Sequence, residues 1–411
     1  MSFSGGSGVK FVGRPVWAEV DLAALAQNLR AIRRFVNPVG EKRKKPRKVL
    51  AIVKGNGYGH GAAPVAKALE KAGADWFGVT CSAEGIELRE AGVKSPILLL
   101  TGFWPGEEEQ ILDHRLTPAI TRCEQLALLE RVAARGPAKK RNALPVGFHL
   151  KIDSGMNRLG ISPEEIESFA LQLAKCARLR LEGVFTHFAS SEVFPPALRG
   201  EQTAEQEKRF WTALDRLRAS GIAPGIVHLA NSAAIASRPG TWADMVRPGV
   251  ILYGYHPGYD PPELRAEVET RLPLKPVMSL RARVIGLRDV APGQGVGYDA
   301  VFIAKRQTRI AVISAGYGDG LPRSLGNRGQ VLLHGRLAPI VGIVSMDVTM
   351  ADVTGIPGVA MGDVATIYGQ DGKNALPANS VAQLIGTVTS DLFCAVGQRV
   401  ARFYLRSPSK V

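Results

Sequence analysis

Short apolar runs of strand length alternate with amphipathic stretches of helical length between residues 49 and 252. This alternation predicts a parallel sheet whose strands are joined by crossover helices. Eight runs have the length and apolar content of buried strands, at residues 49–53, 76–79, 97–100, 117–120, 146–151, 181–186, 226–229 and 247–252. They predict an α/β fold, a TIM-like (β/α)8 barrel whose functional sites lie at the carboxyl ends of the strands.

The pattern changes after Pro261 to short strands separated by Gly and Pro turns, at residues 279–287, 308–314, 330–333, 338–344, 364–368 and 400–405. This predicts a mostly β C-terminal domain. Near the N-terminus, a strand over 16–20 precedes a helix over 22–35, for which Asp21 is a suitable N-cap. We therefore expect a disordered leader over 1–15, a barrel domain over 16–265 and a β domain over 266–411, with strand 16–20 joining the β domain.

The composition is that of an ordinary globular protein, with 45% hydrophobic and 22% charged residues in a chain of 411. No run approaches the roughly 20 apolar residues that a membrane span needs, and the N-terminus lacks the apolar stretch of a secretory signal. The four cysteines have no spacing typical of zinc ligands or of a disulfide framework. The sequence therefore predicts a cytoplasmic protein with free thiols, without a metal site and without a membrane partner.

The formal net charge of +15 raises the possibility of a polyanionic partner. Much of the charge lies in one Pro-interrupted run at residues 42–48, between the first helix and the next strand. Such a run is typical of a solvated loop rather than of an element that enters a nucleic-acid groove. We expect no nucleic-acid partner.

A lysine followed by a glycine-rich turn ends the first strand of the expected barrel, in the segment Val-Lys54-Gly-Asn-Gly-Tyr58-Gly-His-Gly. At the mouth of a barrel, a lysine can be desolvated, which lowers the pKa of its ammonium and permits a Schiff base. A lysine that reaches solvent beside a flexible turn would give the same spacing. The spacing alone leaves both interpretations open.

This segment resembles the cofactor-attachment motif of the alanine racemase family. The resemblance continues, in the family's order, through residues 151–160, 186–188, 230–232, 245–249, 296–299, 316–320 and 345–347. It extends from residue 16 to residue 404 and so covers nearly the whole chain. It implies a barrel that binds pyridoxal 5′-phosphate (PLP), followed by a β domain.

By this resemblance, Lys54 holds PLP as an internal aldimine and is one base of a two-base racemisation, with Tyr298 as the other. Racemisation needs acid and base groups on opposite faces of a planar carbanion, because a single group returns the proton to the face it came from. In the family this tyrosine comes from the partner subunit, which implies a homodimer with shared active sites. Without the resemblance, Tyr298 would be interpreted as an interface aromatic.

The resemblance places Arg247 against the pyridine nitrogen of PLP, with His187 orienting it. An arginine does not release its proton, so the nitrogen stays unprotonated and the electron sink is weakened, which separates a racemase from most PLP enzymes. On its own, His187 would be a core histidine. The cofactor phosphate is expected at Tyr58, Asn231, Ser232, Gly249 and Val250. A phosphate site after strands seven and eight is common in barrels, although residues 231 and 232 could equally be helix caps.

Arg158 is expected to contact the phenolic oxygen of PLP and, with the main-chain amide of Met346, the substrate carboxylate. Lys151 matches a lysine that is carbamylated in many members of the family. Three residues are expected at the site entrance, where a packed aromatic and surface charges would be the alternatives: Tyr317, Arg323 and Asp347.

The chain departs from the family pattern at three positions. Ser390 stands where many members have a tyrosine, four residues before a cysteine, and Ile343 and Ser345 replace a frequent arginine and cysteine. The missing tyrosine favours a broad-spectrum racemase, whereas Ser-Met-Asp at 345–347 favours alanine.

Two other classes of PLP protein fit the sequence less well. A decarboxylase of this fold would need groups for a longer diamine, and none is found, while a non-catalytic PLP carrier would lack the β domain and Tyr298. The resemblance therefore implies an isomerase that interconverts L- and D-alanine. It suggests a supply of D-alanine for peptidoglycan precursors in a bacterium, and the sequence leaves degradation of D-alanine open as the alternative.

Overall fold

The computed structural model describes residues 13–135, 145–197 and 199–405. Within them the chain forms two compact units. The barrel unit takes in Leu25–Gly57 and the described parts of Ala62–Lys275, and the β-rich unit takes in Tyr58–Gly61 and the described parts of Met1–Ala24 and Pro276–Val411. Most of the leader expected over 1–15 lies outside the described residues.

Eight parallel strands form the sheet of the barrel unit: β2 Lys48–Ile52, β3 Trp76–Val79, β4 Ile97–Leu99, β5 Thr117–Ile120, β6 Val146–Lys151, β7 Leu179–Phe185, β8 Ile226–His228 and β9 Met245–Val246. Neighbours along the chain pair in order from β2 to β8, and β9 returns to pair with β2. A bond from Asp244 N to Val227 O, 2.9 Å long, joins the last two strands. The barrel is therefore nearly closed, which confirms the predicted fold class.

The eighth strand is shorter than the predicted 247–252 and starts earlier. It ends at Val246, and Val250–Tyr253 forms a 3-10 helix. Pro248 has no N–H to donate to a ladder, and the Gly249 N–H bonds to the Ser232 hydroxyl at 2.8 Å. An apolar run of this length does not reveal from its pattern whether it is a strand or a buried helical turn.

The helices of the barrel unit cover the strands on the outside, as crossovers between parallel neighbours require. The helix predicted over 22–35 is Leu22–Val36, and Asp21 caps it by accepting bonds from Ala23 N and Ala24 N at 2.8 and 2.9 Å. The helices from this one onward are α1 Leu22–Val36, α2 Ala62–Lys71, α3 Ser82–Glu90, α4 Glu108–Asp113, α5 Glu124–Arg135, α6 Ile166–Leu173, α7 Gln202–Ala219, α8 Ser232–Ser237 and α9 Glu263–Arg271.

The β-rich unit is built on a nine-stranded sheet, whose strands are β1 Val16–Asp21, β10 Met278–Val290, β13 Thr308–Ile313, β14 Gln330–Leu333, β15 Arg336–Pro339, β16 Thr349–Asp352, β17 Val364–Asp371, β18 Asn374–Leu376 and β19 Ala401–Leu405. The central order of this sheet is β15-β14-β17-β10-β1-β19, and β13, β16 and β18 pair beside it. Strand β1 is antiparallel to β10 and parallel to β19. A separate hairpin consists of β11 Gly295–Val296 and β12 Phe302–Ile303.

Two short helices, α10 Ala378–Leu384 and α11 Thr389–Cys394, accompany these strands, so the unit is mostly but not wholly β. The strand predicted over 338–344 ends at Pro339, because the chain leaves the hairpin with β14 there. Among the described residues, no helix is long and apolar enough to cross a membrane.

Candidate active site

Lys54 lies at the carboxyl end of β2, in a tight left-handed turn that runs from Lys54 to Tyr58. Gly55, Asn56 and Gly57 have φ values of 62, 53 and 61°. Glycine adopts this conformation without steric cost, and asparagine tolerates it better than most residues. The Asn56 side chain also accepts a 2.8 Å bond from Ala62 N, at the start of α2. The glycine-rich motif thus forms a compact turn that leaves the Lys54 side chain exposed.

Glu84 fixes this turn from the neighbouring strand and helix. Its Oε1 accepts a 2.6 Å bond from Gly55 N, and its Oε2 accepts a 2.7 Å bond from Thr80 N. A carboxylate that bonds two main-chain amides holds them more strongly than a neutral acceptor would. Glu84 could not be found from the sequence, because nothing in the local pattern shows that a residue of α3 reaches the turn after β2.

Arg247 is buried in the barrel unit, with 3% of its surface exposed, and its guanidinium is almost saturated. Its Nη1 donates to His228 O at 2.8 Å and contacts His228 Nδ1 at 3.1 Å. Its Nη2 donates to Thr186 O and Leu229 O at 2.6 and 2.8 Å. Burial lowers the pKa of Arg247 to about 9. Within the described residues, the Nε–H is the donor of this guanidinium that has no bond.

The imidazole that orients Arg247 is His228, which corrects the expectation for His187. No described hydrogen bond joins Arg247 and His187, whose carbonyl accepts from Gln206 Nε2 at 3.1 Å. Because a guanidinium only donates, Nδ1 of His228 is the acceptor, and its Nε2–H then donates to His149 Nδ1 at 2.9 Å. Burial first, and then the charge of Arg247, lowers the pKa of His149 to about 3 and that of His228 well below 6.5.

Lys151 lies among these groups at the end of β6, buried and short of hydrogen-bond partners. Its Nζ donates to Leu100 O at 3.3 Å and lies 5.6 Å from the centre of the Phe185 ring. Burial lowers the pKa of Lys151 to about 8, with further lowering by the charges of Arg158 and Arg247. An amine with this pKa is partly neutral, and therefore nucleophilic, at a mildly alkaline pH.

Four cations of the barrel unit form one positively charged cluster: Lys54, Lys151, Arg158 and Arg247. Burial, followed by the charges of Arg247, Arg158, Lys151 and Lys54, lowers the pKa of His187 well below 6.5. Arg158 stands exposed on a loop whose amides bond to Asp153, with Arg158 N donating to Oδ2 at 2.7 Å. Of the residues expected at the cofactor, the structure brings together Lys54, Lys151, Arg158, His187 and Arg247.

Four of the five residues expected at the cofactor phosphate, all except Tyr58, lie in the same unit. Asn231 caps α8, accepting from Ala234 N at 3.1 Å and from the Ser191 hydroxyl at 2.7 Å. The Gly249 N–H donates to Ser232 Oγ at 2.8 Å, and Val250 begins the 3-10 helix. Asn231 therefore has a capping role, while the Ser232 hydroxyl and the amides after Pro248 face one another.

The remaining expected residues lie in the β-rich unit, and three of them expose large side chains. Tyr298 is 67%, Met346 51% and Tyr317 45% exposed. Tyr298 begins a 3-10 turn after Gly297, whose φ is 75°. Tyr58 is instead largely enclosed, and burial, followed by the nearby Cys394, raises the pKa of Tyr58 to about 12.

Asp347 and Arg323 complete this set. Arg323 is exposed at the start of a 3-10 helix, Arg323–Leu325. Asp347 pairs with Arg399, with 3.0 Å between its Oδ1 and Nη1 of the arginine. Arg399 also contacts Asp319, which is fully buried, at 2.8 Å. Neither Asp319 nor Arg399 was singled out from the sequence.

Relatives of this chain share the fold and one description. The N-terminal domain model of alanine racemase matches residues 20–257, and the C-terminal domain model matches residues 277–404. An alanine racemase of Geobacter sulfurreducens is 40% identical, over 95% of this chain and 97% of the relative. One of Halothermothrix orenii is 38% identical, over 96% and 98%.

Solved structures agree with the sequence relatives. The alanine racemase of Bacillus anthracis with bound L-Ala-P has a TM-score of 0.84 at 31% identity, with 97% of each chain covered. The biosynthetic alanine racemase of Pseudomonas aeruginosa has a TM-score of 0.80 at 35% identity, over 96% of this chain and all of that one. Family models, sequence relatives and structures all lead to one conclusion. The chain belongs to the alanine racemase family.

Proposed function

We propose that this protein interconverts L- and D-alanine with PLP bound through Lys54, and that Lys54 and Tyr298 exchange the Cα proton on opposite faces of the substrate. The observation that carries this proposal is the buried Arg247. Four of its bonds hold the guanidinium in place, and the Nε–H is left for a ligand. A ring nitrogen that accepts but does not need to donate is the complement of that group.

The donor set of the barrel unit fits PLP in three further respects. Lys54 supplies a primary amine that can form an imine with an aldehyde. The Ser232 hydroxyl, whose oxygen accepts from Gly249 N, and the amide of Val250 at the start of a 3-10 helix are donors for a phosphate, and Gly249 N would join them by turning from Ser232. Arg158 supplies a planar fork for oxygen anions, next to a cluster of positive charge. The phosphate contact expected from Tyr58 stays a prediction.

PLP supplies an electron sink that makes the Cα–H of a bound amino acid acidic. The protein's own groups then decide where the proton goes. The Lys54 amine removes or returns it on one face, and the Tyr298 phenol does so on the other. Arg247 stays protonated near pH 7 even with its pKa lowered to about 9. It therefore donates no proton to the ring nitrogen, which limits side reactions that need a stronger electron sink.

We infer that Tyr298 and the Met346 amide reach the site from a second copy of the chain, in a homodimer. The exposure of both side chains supports this, because a racemase needs its second base shielded from bulk water at the substrate. The entrance would then be formed by Tyr317, Arg323 and Asp347. We also infer a cytoplasmic location, which the four free cysteines support, because free thiols are usual in reducing compartments.

Alanine is the proposed substrate among several that this fold could accept. The residues at positions 343, 345 and 390 differ from the usual arginine, cysteine and tyrosine. Assays with other amino acids therefore define which substrate side chains the site admits. Serine, lysine and arginine are the informative competitors, since they add a hydroxyl or a long cationic chain to the same Cα.

The test is Tyr298→Phe, assayed beside wild type for racemisation of each alanine enantiomer and for α-deuterium exchange in D₂O. We expect racemisation to fall by about 10²–10⁴-fold, the usual contribution of a general acid or base, while one enantiomer still exchanges through Lys54. Tyr259→Phe is the control for the loss of a tyrosine hydroxyl, because that hydroxyl contacts Ala233 O at 3.5 Å and bonds Ser237, and neither residue is expected at the cofactor or the substrate. Its activity should stay close to that of wild type.

Either of two results would contradict the proposal. If wild type binds PLP but neither racemises nor exchanges alanine or the three competitors, the protein is not an amino-acid racemase. If Tyr298→Phe racemises alanine at the wild-type rate, the second base is another group.

A further inference from the structure

The loop that carries Met346 is locked against a second turn of the β-rich unit. Tyr317 N donates to Ser345 O at 2.9 Å, and Gly318 N donates to Met346 O at 3.0 Å. The Met346 N–H belongs to the same planar peptide group as the Ser345 carbonyl, so a bond that holds this carbonyl also sets the direction of that N–H. In the part of the chain that the structure describes, the Met346 N–H donates to no partner.

Close approach of the two turns depends on glycine. A Cβ on Gly316 would lie 2.3 Å from Ser345 O, and a Cβ on Gly318 would lie 2.4 Å from Nη2 of Arg399. Both distances are far below a van der Waals contact. The spacing Gly-Tyr-Gly at 316–318 therefore serves to bring the turn of Tyr317 against the loop of Met346.

Two arginines and a buried carboxylate hold this arrangement together. Arg399 donates from Nη2 to Met346 O at 3.0 Å, and its Nε and Nη1 contact Asp319 and Asp347 at 2.8 and 3.0 Å. Arg14 donates to Asp347 O and contacts Asp319 at 3.2 Å. Asp319 is fully buried and also accepts from Gly316 N at 3.0 Å.

The ion pairs of Asp319 with Arg399 and Arg14 orient the two guanidinium groups, which an ion pair on the surface would not do. A buried carboxylate needs charged partners, and Asp319 has two. Each guanidinium can donate along several directions of one plane, so an arginine bound to Asp319 is preorganised to bond a carbonyl as well. The carbonyls that receive those bonds are those of Met346 and Asp347. The buried charge thus fixes the two peptide groups that follow Met346, while Tyr317 N fixes the one that precedes it.

We propose that Arg399, assisted by Arg14 and Asp319, is a positioning residue that aims the Met346 N–H at the substrate carboxylate. The inference rests on the proposed function, in which that amide binds the carboxylate. Arg399 acts through the main chain and touches neither substrate nor PLP. Its loss therefore weakens carboxylate binding while leaving the bases in place.

Propionate, which is alanine without its amine, probes the carboxylate subsite directly. It would be titrated calorimetrically into the PLP-loaded wild type, Arg399→Met and Arg336→Met. Arg336 is the matched control, because it is an exposed arginine of the same unit that bonds one loop carbonyl, Gly355 O, at 3.2 Å. We expect Arg399→Met to raise the Kd of propionate and the KM of alanine about tenfold, the equivalent of one charge-assisted hydrogen bond, with kcat and the PLP absorbance band retained.

Arg399→Lys should restore part of the affinity, because an ammonium keeps the charge but cannot bond all three partners. If Arg399→Met fails to fold, Arg399→Lys and Arg14→Met take its place. An unchanged Kd for propionate in the folded variants overturns the inference, as does a loss confined to kcat or an equal effect of Arg336→Met. A wild type that binds propionate but does not racemise alanine contradicts the proposed function instead, and the propionate Kd values still decide the role of Arg399.

Discussion

Nη1 of Arg247 lies 3.1 Å from Nδ1 of His228, deep in the barrel unit. The bond fixes the tautomer of His228, whose Nε2–H then serves His149 at 2.9 Å. The guanidinium, which three main-chain carbonyls also hold, is thus tied to the barrel interior through two imidazoles as well. The ring of His228 also stacks on Phe185, with 4.8 Å between the ring centres.

Replacing His228 by phenylalanine should keep the stacking and lose the polar chain. Nη1 of Arg247 then loses one acceptor, and Nδ1 of His149 is buried without a donor. At about 1–3 kcal/mol for each unsatisfied buried group, we expect the free energy of unfolding to fall by about 3 kcal/mol. Urea unfolding of the PLP-loaded protein measures this change. We expect kcat to fall as well, since Arg247 loses the imidazole that orients it and is then held by three main-chain carbonyls alone.

The control is His256→Phe, a buried histidine of the same unit that makes one bond, to Leu272 O at 2.9 Å. It should cost less stability and leave kcat near the wild-type value. Equal effects of the two substitutions on kcat would show that the contact between Arg247 and His228 has no role beyond packing.

The same histidines predict a loss of stability in mild acid. Folding lowers the pKa of His149 to about 3 and that of His228 well below 6.5, so both stay neutral in the folded protein when they would be protonated in the unfolded chain. Below pH 6.5 the unfolded state binds more protons, and stability must fall as pH falls. Each group contributes about 1.4 kcal/mol per pH unit.

Urea unfolding between pH 7 and pH 5.5 measures this slope. In His228→Phe the change of the unfolding free energy with pH should be smaller, because one histidine fewer takes up a proton on unfolding. His334→Asn is the comparison, because His334 is exposed on the surface of the β-rich unit. A wild-type stability that is flat over this interval would mean that the buried histidines become protonated in the folded state without penalty.

Lys151 should react with carbon dioxide. With its pKa lowered to about 8, about half of its amine is neutral at pH 8. The neutral amine adds to CO₂ and loses a proton, which converts a cation into a carbamate anion. A carbamate anion at residue 151 would attract the positive charges of Arg158, Arg247 and Lys54, which the lysine cation repels. The local charge therefore favours the product.

Carbon-13 NMR in labelled bicarbonate should show a carbamate signal in wild type that is absent from Lys151→Met. Lys94→Met, which removes an exposed lysine of the same unit, should retain the signal. Activity in CO₂-depleted buffer should fall several-fold and recover when bicarbonate is restored. A spectrum without a carbamate signal, in an active enzyme, would show that Lys151 acts as a cation.

The barrel could be predicted from the chain because its strands are short, apolar and separated by helical stretches of regular length. Lys54 could be found because it follows such a strand and precedes glycines. The site residues of the β-rich unit came from the resemblance alone, since nothing in the spacing of Tyr298 or Met346 indicates their use. Their roles in catalysis stay predictions until the variants are measured.

The sequence did not reveal side-chain contacts between neighbouring strands, such as that of Arg247 with His228. His228 is the last residue of β8, and His187 lies two residues after the end of β7. The chain gives no sign of which of the two imidazoles meets Arg247. A histidine within an apolar strand, as in Phe-His149-Leu and Val-His228-Leu, is a signal that could have been used, because a buried polar group in a barrel layer needs a partner.

The most direct test of a residue that the sequence missed concerns Glu84. Its two oxygens bond Gly55 N and Thr80 N, so Glu84→Ala releases the turn that carries Lys54. Displacing a reacting amine by about 1 Å can cost about 10²-fold in rate, and we expect kcat to fall toward that extent, with PLP retained less tightly on dialysis. Glu87→Ala removes an exposed carboxylate from the same helix and should change neither. If Glu84→Ala keeps the wild-type kcat and PLP affinity, the left-handed conformation of residues 55–57 is sufficient by itself to position Lys54.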